Sequence, residues 1–273
     1  MFYYVKLMPN LSPAVRGTQT VSRAVALLKA VAARPQQGWR LTDLAAYCEM
    51  DKGSAHRMLA GLVQQRMVGL RGADKHYLPG PLIYELSLGL TQMDALKSAS
   101  APMLARLAAA ARGAAFLYLR SGEEFVCAAR TGLTTLKGMS IGPGARRPLV
   151  VSAGGVAMLL ALPAGEQKRI EKINMKQIAS VGEARVSAVR AMLRRSRRHR
   201  FGVNLGDVVP GIDAFGVALI DEAAQVAGAI TVAQPAQAAR AAPAARIAAM
   251  EALLRGEAQR FGREHRALLA APV

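Results

Sequence analysis

The stretch MDKGSAHRMLAGLVQQRM, residues 50–67, sets an acid, a lysine, a glycine and a serine ahead of an apolar repeat that carries a histidine and an arginine. Ala55, Met58, Leu59, Leu62 and Val63 recur at i, i+3, i+4, i+7 and i+8, the stripe of a helix that buries one side. Asp51 is placed to cap that helix, because a side-chain oxygen accepts from the free N–H groups of the first turn. At about 100° per residue the opposite side holds Gly53, Arg57, Ala60 and Gln64, with Ser54 and Gly61 beside it. Such a face has little bulk and one strong hydrogen-bond fork, and it suits a helix that enters the major groove of DNA. Arg57 can contact guanine in bidentate fashion, worth roughly 1–3 kcal/mol of discrimination, while Lys52 and Ser54 suit phosphate or the nearest base. Free N–H groups at the helix start favour phosphate as well.

Other chemistries find less support. No Gly-x-Ser-x-Gly elbow, P-loop or His-Glu-x-x-His occurs, and GPGARR falls short of a dinucleotide loop. His56, His76, His199 and His265 fall on separate elements with no cluster for metal or general-base work. Cys48 and Cys127 lie far apart without Cys-x-x-Cys spacing, which indicates neither a zinc site nor a disulfide framework and fits a reducing cytoplasm. Cys127 sits in an apolar strand and reads as core. No catalytic residue, metal or cofactor is expected.

The net charge of +18, from 36 Lys and Arg against 18 Asp and Glu, suggests an anionic partner. Its distribution is nearly even, with 12 of the basic and 6 of the acidic residues in positions 1–97, so charge alone locates no binding face. The most basic stretch, VRAMLRRSRRHRFG, places Val186, Val189 and Leu193 at helical spacing and leaves its arginines to a solvated side. The first 16 residues lack a secretory signal and read as a disordered arm. The longest apolar run, LVVSAGGVAMLLAL at 149–162, is shorter than the ~20 residues a bilayer needs, so no membrane partner is expected.

These residues need elements to position them. Residues 21–33 form a first helix with Val21, Ala24, Val25, Leu28, Val31 and Ala32 on one face, and Thr42 caps a short second helix over 43–48. After the third helix, MVGLRGADKHYL makes a strand, a turn at Gly72 to Lys75 and a return through His76 to Leu78. Helix, helix, turn, helix, hairpin is the order of a winged helix-turn-helix. Arg71, Lys75 and His76 on the hairpin, with Arg23 and Thr42, join the candidates for DNA contact.

A connecting helix follows at 79–96, with Leu82, Leu86 and Leu90 on one side, then an Ala-rich helix at 98–112. Strands at 114–120 and 124–130 flank SGEE, and Arg146 and Arg147 read as a solvated turn that alternatively attracts an anion. Helices are expected at 151–162, over GEQKRIEKIN and over EARVSAVRAMLRRSRRHR, strands at 215–219 and 226–233, and a terminal helix from about Ala239 to His265. Strands interleaved with helices predict a mixed sheet with helices packed on it.

Five stretches, VSRAVALLKAV, LTDLAAYCEMDKGSAHRMLAGLVQQRMV, HYLPGPLIYELSLGL, PLVVSAGGVAMLLAL and FGVNLGDVVPGIDAFGVALIDEAAQVAGAITVAQP, occur in an order that resembles the isocitrate lyase regulator (IclR) family of bacterial transcription factors. The resemblance covers about residues 17–266. It implies an α+β fold in which a winged helix-turn-helix at 17–80 is joined by a linker helix at 81–97 to a mixed α/β effector-binding domain at 98–266, with a tail at 267–273. It further implies a homodimer, often a dimer of dimers, that binds a palindromic operator as double-stranded DNA and answers to a small organic or aromatic acid. The linker would couple effector state to the spacing of two DNA-binding heads.

Carried over by position, the family's effector residues fall on Leu136 and Met139, on Ser152, Ala153 and Gly154 at a helix start, and on Ala214, Thr231 and Ala233 of the closing strands. A packed core is the other reading of the same residues. The chain departs from the pattern at Glu49, where the family prefers glycine, at Gly53, where it usually has serine, at Val156 in place of lysine, and at Asp213, where arginine is common. Two alternatives remain: an enzyme or small-molecule carrier whose winged domain serves dimerisation, and a regulator that has lost its ligand.

Overall fold

The computed structural model describes residues 17–134, 136, 138–139, 141–236 and 243–270. The expected arm at 1–16, the last three residues of the tail and the expected start of the terminal helix at Ala239 lie outside them. The described residues divide into two compact units, one up to Thr91 and one from Gln92.

The first unit contains α1 (Gln19–Ala32), α2 (Leu41–Tyr47), α3 (Lys52–Gln64), β1 (Val68–Arg71), β2 (His76–Pro79) and α4 (Pro81–Ser87). Its core joins Leu27, Ala30 and Val31 of α1 to Trp39, Leu44, Cys48, Leu59, Val68 and Tyr77. Trp39 organises this core: its indole N–H donates to the Ala30 carbonyl at 2.8 Å, and its backbone exchanges hydrogen bonds with Tyr77, so it borders the hairpin as a one-residue strand. The face expected for the first helix is therefore corrected. Val31 turns inward as expected and Leu28 packs partly against the core, but Leu27 and Ala30 are buried with them while Val21 and Val25 are 63% and 41% exposed. A helix rich in alanine and valine offers apolar residues on more than one side, and only Trp39 and its neighbours decide which side is buried.

Thr42 is also corrected as a cap. α2 starts at Leu41, Arg40 occupies the cap position without a side-chain cap bond, and Thr42 sits exposed in the first turn. Asp51 does cap α3, its carboxylate accepting from the Ser54 N–H at 2.8 Å. Between α2 and α3 the backbone turns at Glu49, whose φ is 52°, and Met50 N–H closes back on the Ala45 carbonyl at 2.9 Å.

In the second unit α5 (Thr91–Ala111) is one helix through Pro102, so the helices expected at 79–96 and 98–112 are divided elsewhere, after Ser87. Gly89 lies in that break, where poor helix propensity favours a stop. The strands are β3 (Ala114–Ser121), β4 (Glu124–Gly132), β5 (Arg146–Pro148), β6 (Gly202–Leu205), β7 (Ile212–Ile220) and β8 (Val226–Pro235), ordered β5-β4-β3-β8-β7-β6. Every pairing in this sheet is antiparallel, which corrects the expected mixed sheet. Two three-stranded meanders meet at β3 and β8, and the helices α6 (Ala153–Ala161), α7 (Ala164–Ala179) and α8 (Glu183–His199) carry the chain from one sheet edge to the other. Interleaving of helices with strands is thus compatible with antiparallel neighbours. One face of the sheet packs α5 and α9 (Pro243–Glu264), with Leu104, Leu107, Ile247, Leu254 and Phe261 among Leu117, Phe215, Val217, Ile230 and Val232. A further helix, α10 (Arg266–Leu269), takes in residues 267–269 of what was expected as a tail.

Candidate functional site

On α3 the burial follows the sequence periodicity. Ala55 and Leu59 are buried, whereas Lys52, Gly53, His56, Arg57, Ala60, Gly61 and Gln64 are all exposed. Arg57 donates to the Ser54 hydroxyl at 3.2 Å, so the two polar groups of the outer face are already paired side by side. The Ser54 N–H and hydroxyl also hold the Asp51 carboxyl below its usual range, keeping the cap ionised. A β-carbon at Gly53 would meet Asp51 Oδ1 at 3.4 Å and Arg57 Nη1 at 3.6 Å, ordinary contacts that leave room for a serine.

The hairpin distributes its cations unequally. Arg71 donates to both Asp74 carboxylate oxygens, at 2.8 and 2.7 Å, and to the carbonyls of Gln36 and Gln37, each at 3.1 Å. It is a staple between the hairpin and the loop after α1. His76 is half-buried with Nδ1 2.9 Å from the Asp74 carboxylate. Hydrogen bonds from Arg71 and His76 drive the Asp74 carboxyl far below the ordinary range. Lys75 at the turn, with φ of 57°, is exposed and makes no ion pair among the described residues, and the same holds for Lys52 on α3. Arg23 on α1 is half-exposed and likewise unpaired among them.

In the second unit the effector candidates gather in two groups. Ser152 caps α6, its hydroxyl accepting from the Gly155 N–H at 2.9 Å. Gly154 lies hard against the sheet: a β-carbon there would stand 1.9 Å from Thr231 Oγ1 and 3.0 Å from the Tyr118 ring. A β-carbon at Gly216 on β7 would stand 2.6 Å from the Gly154 backbone, and one at Gly202 would stand 2.0 Å from the Ala153 carbonyl oxygen. Ala214 and Ala233 are cross-strand partners one step along the same face. The second group is the turn in which Met139 N–H bonds the Leu136 carbonyl at 2.9 Å.

Arg130 links the two groups. Its guanidinium donates to the carbonyls of Leu133, Thr134 and Ile141 and lies 5.6 Å from the Phe116 ring, and Phe116 is the register partner of Thr231. The sequence offered a signal for this: Ala114, Phe116 and Tyr118 alternate on one face of β3. Tyr118 stacks on Phe125 at 4.2 Å, and burial pushes its phenol well above the ordinary range, with Cys127 adding to the shift and Arg130 and Arg147 opposing it. Arg146 and Arg147 belong to β5 and not to a solvated turn; Arg146 pairs with Glu124 at 3.1 Å. A cavity of about 470 Å³ lies at the other end of α6, bordered by Ala157, Leu160, Arg197, Arg200, Phe201 and Arg255, and includes none of the expected effector residues.

The two cysteines are buried and their thiols are pushed up to about 12 by desolvation, so both stay protonated and unreactive near neutral pH. Among the described residues no group of three His, Cys, Asp or Glu is placed to hold a metal ion.

A capped helix with a small, polar outer face beside a two-stranded wing, followed by a helix-covered antiparallel sheet, defines a two-part DNA-binding regulator. Family models agree in both parts: the IclR helix-turn-helix domain matches residues 20–71, and the bacterial transcriptional regulator IclR C-terminal domain matches residues 89–260. The chain belongs to the IclR family of DNA-binding transcriptional regulators. It is 24% identical over 196 residues, 71% of this chain and 78% of the other, to a protein of Cupriavidus necator described as a probable transcriptional regulator, SauR. Among solved structures it is similar to an IclR-type regulator from Silicibacter sp. TM1040, with a TM-score of 0.71 and 19% identity over 93% of this chain and 98% of that one. It is also similar to an IclR homologue from Microbacterium hydrocarbonoxydans in complex with 4-hydroxybenzoate, with a TM-score of 0.63 and 17% identity over 93% of this chain and all of that one. No helix among the described residues is long and apolar enough to cross a membrane.

Proposed function

We propose that this regulator reads an operator half-site with α3 and that its second unit senses a small organic acid. The observation that carries the DNA reading is the outer face of α3, which exposes Lys52, Arg57 and a run of small residues while Ala55 and Leu59 anchor it below. Arg57, with Ser54 at its side, is assigned to base edges; Lys52, Lys75 and Arg23 are assigned to phosphate. Gly53 allows close approach, and Thr42 is offered to the backbone from the exposed start of α2. Arg71 and His76 serve chiefly to hold the hairpin through Asp74, so their contribution to DNA contact is through its shape.

The acid is proposed from the complex of the Microbacterium relative and from the elements gathered around Thr231, Gly154 and the Leu136–Met139 turn. The winged helix-turn-helix is taken as residues 17–80 and the effector domain as 98–266. Exposed Val21 and Val25 on α1, and Tyr84, Leu86, Leu88 and Leu90 on and after α4, support assembly as a homodimer or dimer of dimers in the cytoplasm. The test is a competition gel-shift on DNA upstream of the protein's own gene against random DNA across a salt series. A retained preference for the upstream DNA is expected, and equal binding to both would refute operator reading.

A further inference from the structure

The lysines of α7 and the arginines of α8 form two rows on the outside of the second unit. Ile170, Asn174 and Ile178 turn one side of α7 inward, and Val186, Val189, Met192, Leu193 and Ser196 do the same for α8. At about 100° per residue the opposite sides carry Lys168, Lys172 and Lys176 on α7 and Arg190, Arg194 and Arg198 on α8. All six are exposed. Their spacing of four residues sets successive charges of a row about 6 Å apart along the helix. The two helices hold ten Lys and Arg against three Glu, although the chain as a whole spreads its charge nearly evenly.

The rows lie side by side. Only Ser180, Val181 and Gly182 join the helices, which therefore run antiparallel, and Arg197 of α8 donates to the Glu171 carboxylate of α7. Counted in opposite directions from that pair, Lys172 comes level with the turn of Arg194 and Arg198, and Lys176 with the turn of Arg190 and Arg194. The acids nearby are committed to other cations: Glu166 pairs with Arg120, Glu171 with Arg197, Glu123 with Arg169 and Asp207 with Arg195. Glu183 lies in the first turn of α8, seven residues before Arg190. Among the described residues none of the six cations has an ion pair or a side-chain hydrogen bond.

Like charges four residues apart on a helix destabilise it, and each row contains two such steps. The packing of α7 and α8 is specified by their apolar sides and does not require the rows. A polyanion with regularly spaced charges turns the same repulsion into attraction. We infer that the α7–α8 face is a second, sequence-independent contact for double-stranded DNA, its two rows neutralising backbone phosphates in addition to those held by the winged unit. The inference rests on the DNA reading above and adds a surface to it. Charge complementarity selects this occupant in a DNA-binding regulator, whereas a second copy of the chain would bring the same cations to the face. An anionic bilayer fits less well, because the apolar sides of both helices are packed inward and leave nothing to insert.

The test measures binding of the full chain to operator DNA and to random-sequence DNA by fluorescence anisotropy across a salt series. Wild type is compared with two triple variants, Arg190→Gln/Arg194→Gln/Arg198→Gln and Lys168→Gln/Lys172→Gln/Lys176→Gln. A control, Arg260→Gln/Arg263→Gln/Arg266→Gln, removes the same charge from α9 and α10. Thermal unfolding checks the fold, and the face variants should melt no lower than wild type at low salt, since glutamine suits a helix and the repulsion is relieved. Each face variant is expected to lower the slope of log affinity against log salt on random DNA by at least about two, and to weaken that binding at least about tenfold at ~100 mM salt. The preference for operator over random DNA should be kept, and the control should change little. Equal losses in the control would reduce the effect to net charge and overturn the face. Unchanged slopes in both face variants, with operator preference intact, would overturn the face and leave operator reading in place. Reduced slopes in the face variants of a protein that shows no operator preference would support the face while operator reading fell. Binding to phosphatidylserine–phosphatidylcholine vesicles that the face variants lose, with DNA binding unchanged, would overturn the inference in favour of a membrane.

Discussion

Glu49, Arg66, Arg112 and Arg200 each follow the end of a helix with φ between 47° and 59°, the left-handed region that glycine usually fills. In each case the next residue closes a backbone bond to the carbonyl five positions back, as Met67 does on Leu62 and Phe201 on Ser196. A left-handed non-glycine residue costs roughly 1–2 kcal/mol, offset in glycine by greater freedom of the unfolded chain. Glu49→Gly should therefore stabilise the first unit by about 0.5–1 kcal/mol in urea unfolding, without altering operator preference. The DNA-facing residues separate by role. Arg57→Ala should remove about 1–3 kcal/mol of discrimination between operator and mutated-operator DNA, whereas Lys75→Asn, a residue tolerant of the left-handed turn, should weaken binding to all sequences alike. Equal losses on operator and random DNA for Arg57→Ala would remove it from base reading.

The elements owe their placement to caps and close approaches. Asp51 holds the first turn of α3, and its folded-state affinity for a proton is lower than the ordinary pKa of 3.8. The ionised form is thus favoured by folding, so the cap contributes fully above the ordinary value and is lost as pH falls through the depressed one. Acid unfolding of Asp51→Asn, which keeps a neutral acceptor, should show a weaker decline of first-unit stability below pH ~4 than wild type. At the sheet, α6 depends on the missing side chain of Gly154, where a β-carbon would stand 1.9 Å from Thr231 Oγ1. Gly154→Ala should destabilise the second unit by about 1–3 kcal/mol, measured by denaturant midpoint, because Gly216 and Thr231 leave α6 no direction of retreat. Gly61, with nothing within 4 Å, gives the opposite case, an exposed helical glycine whose role lies in what the face can approach.

At the scale of the whole molecule, electrostatic binding and sequence reading have separate signatures. A dimer that places Lys52, Lys75 and Arg23 of each protomer on phosphate makes about six such contacts, and its DNA affinity should fall about a thousandfold between about 50 and 200 mM salt. The preference for operator over random DNA should change far less. Salt-independent affinity would show that these cations do not contact phosphate. An effector shifts this affinity only as far as it binds one arrangement of the protein better than the other, and linkage requires operator DNA to shift effector affinity by the same factor.

Residue types and their spacing were enough to place α3, its Asp51 cap, the wing and the class of protein, because helical and strand periodicities and capping are local rules. Glu49 as a position where glycine is usual came instead from the family resemblance, and the structure shows it with φ of 52° at the turn between α2 and α3. The inward side of α1 was not readable, since Val21, Val25, Leu27 and Val31 are equally apolar and Trp39 makes the choice through a bond formed across nine positions. Nor could the all-antiparallel sheet be read from the order of elements, because β8 joins β3 only after three helices have carried the chain across the unit.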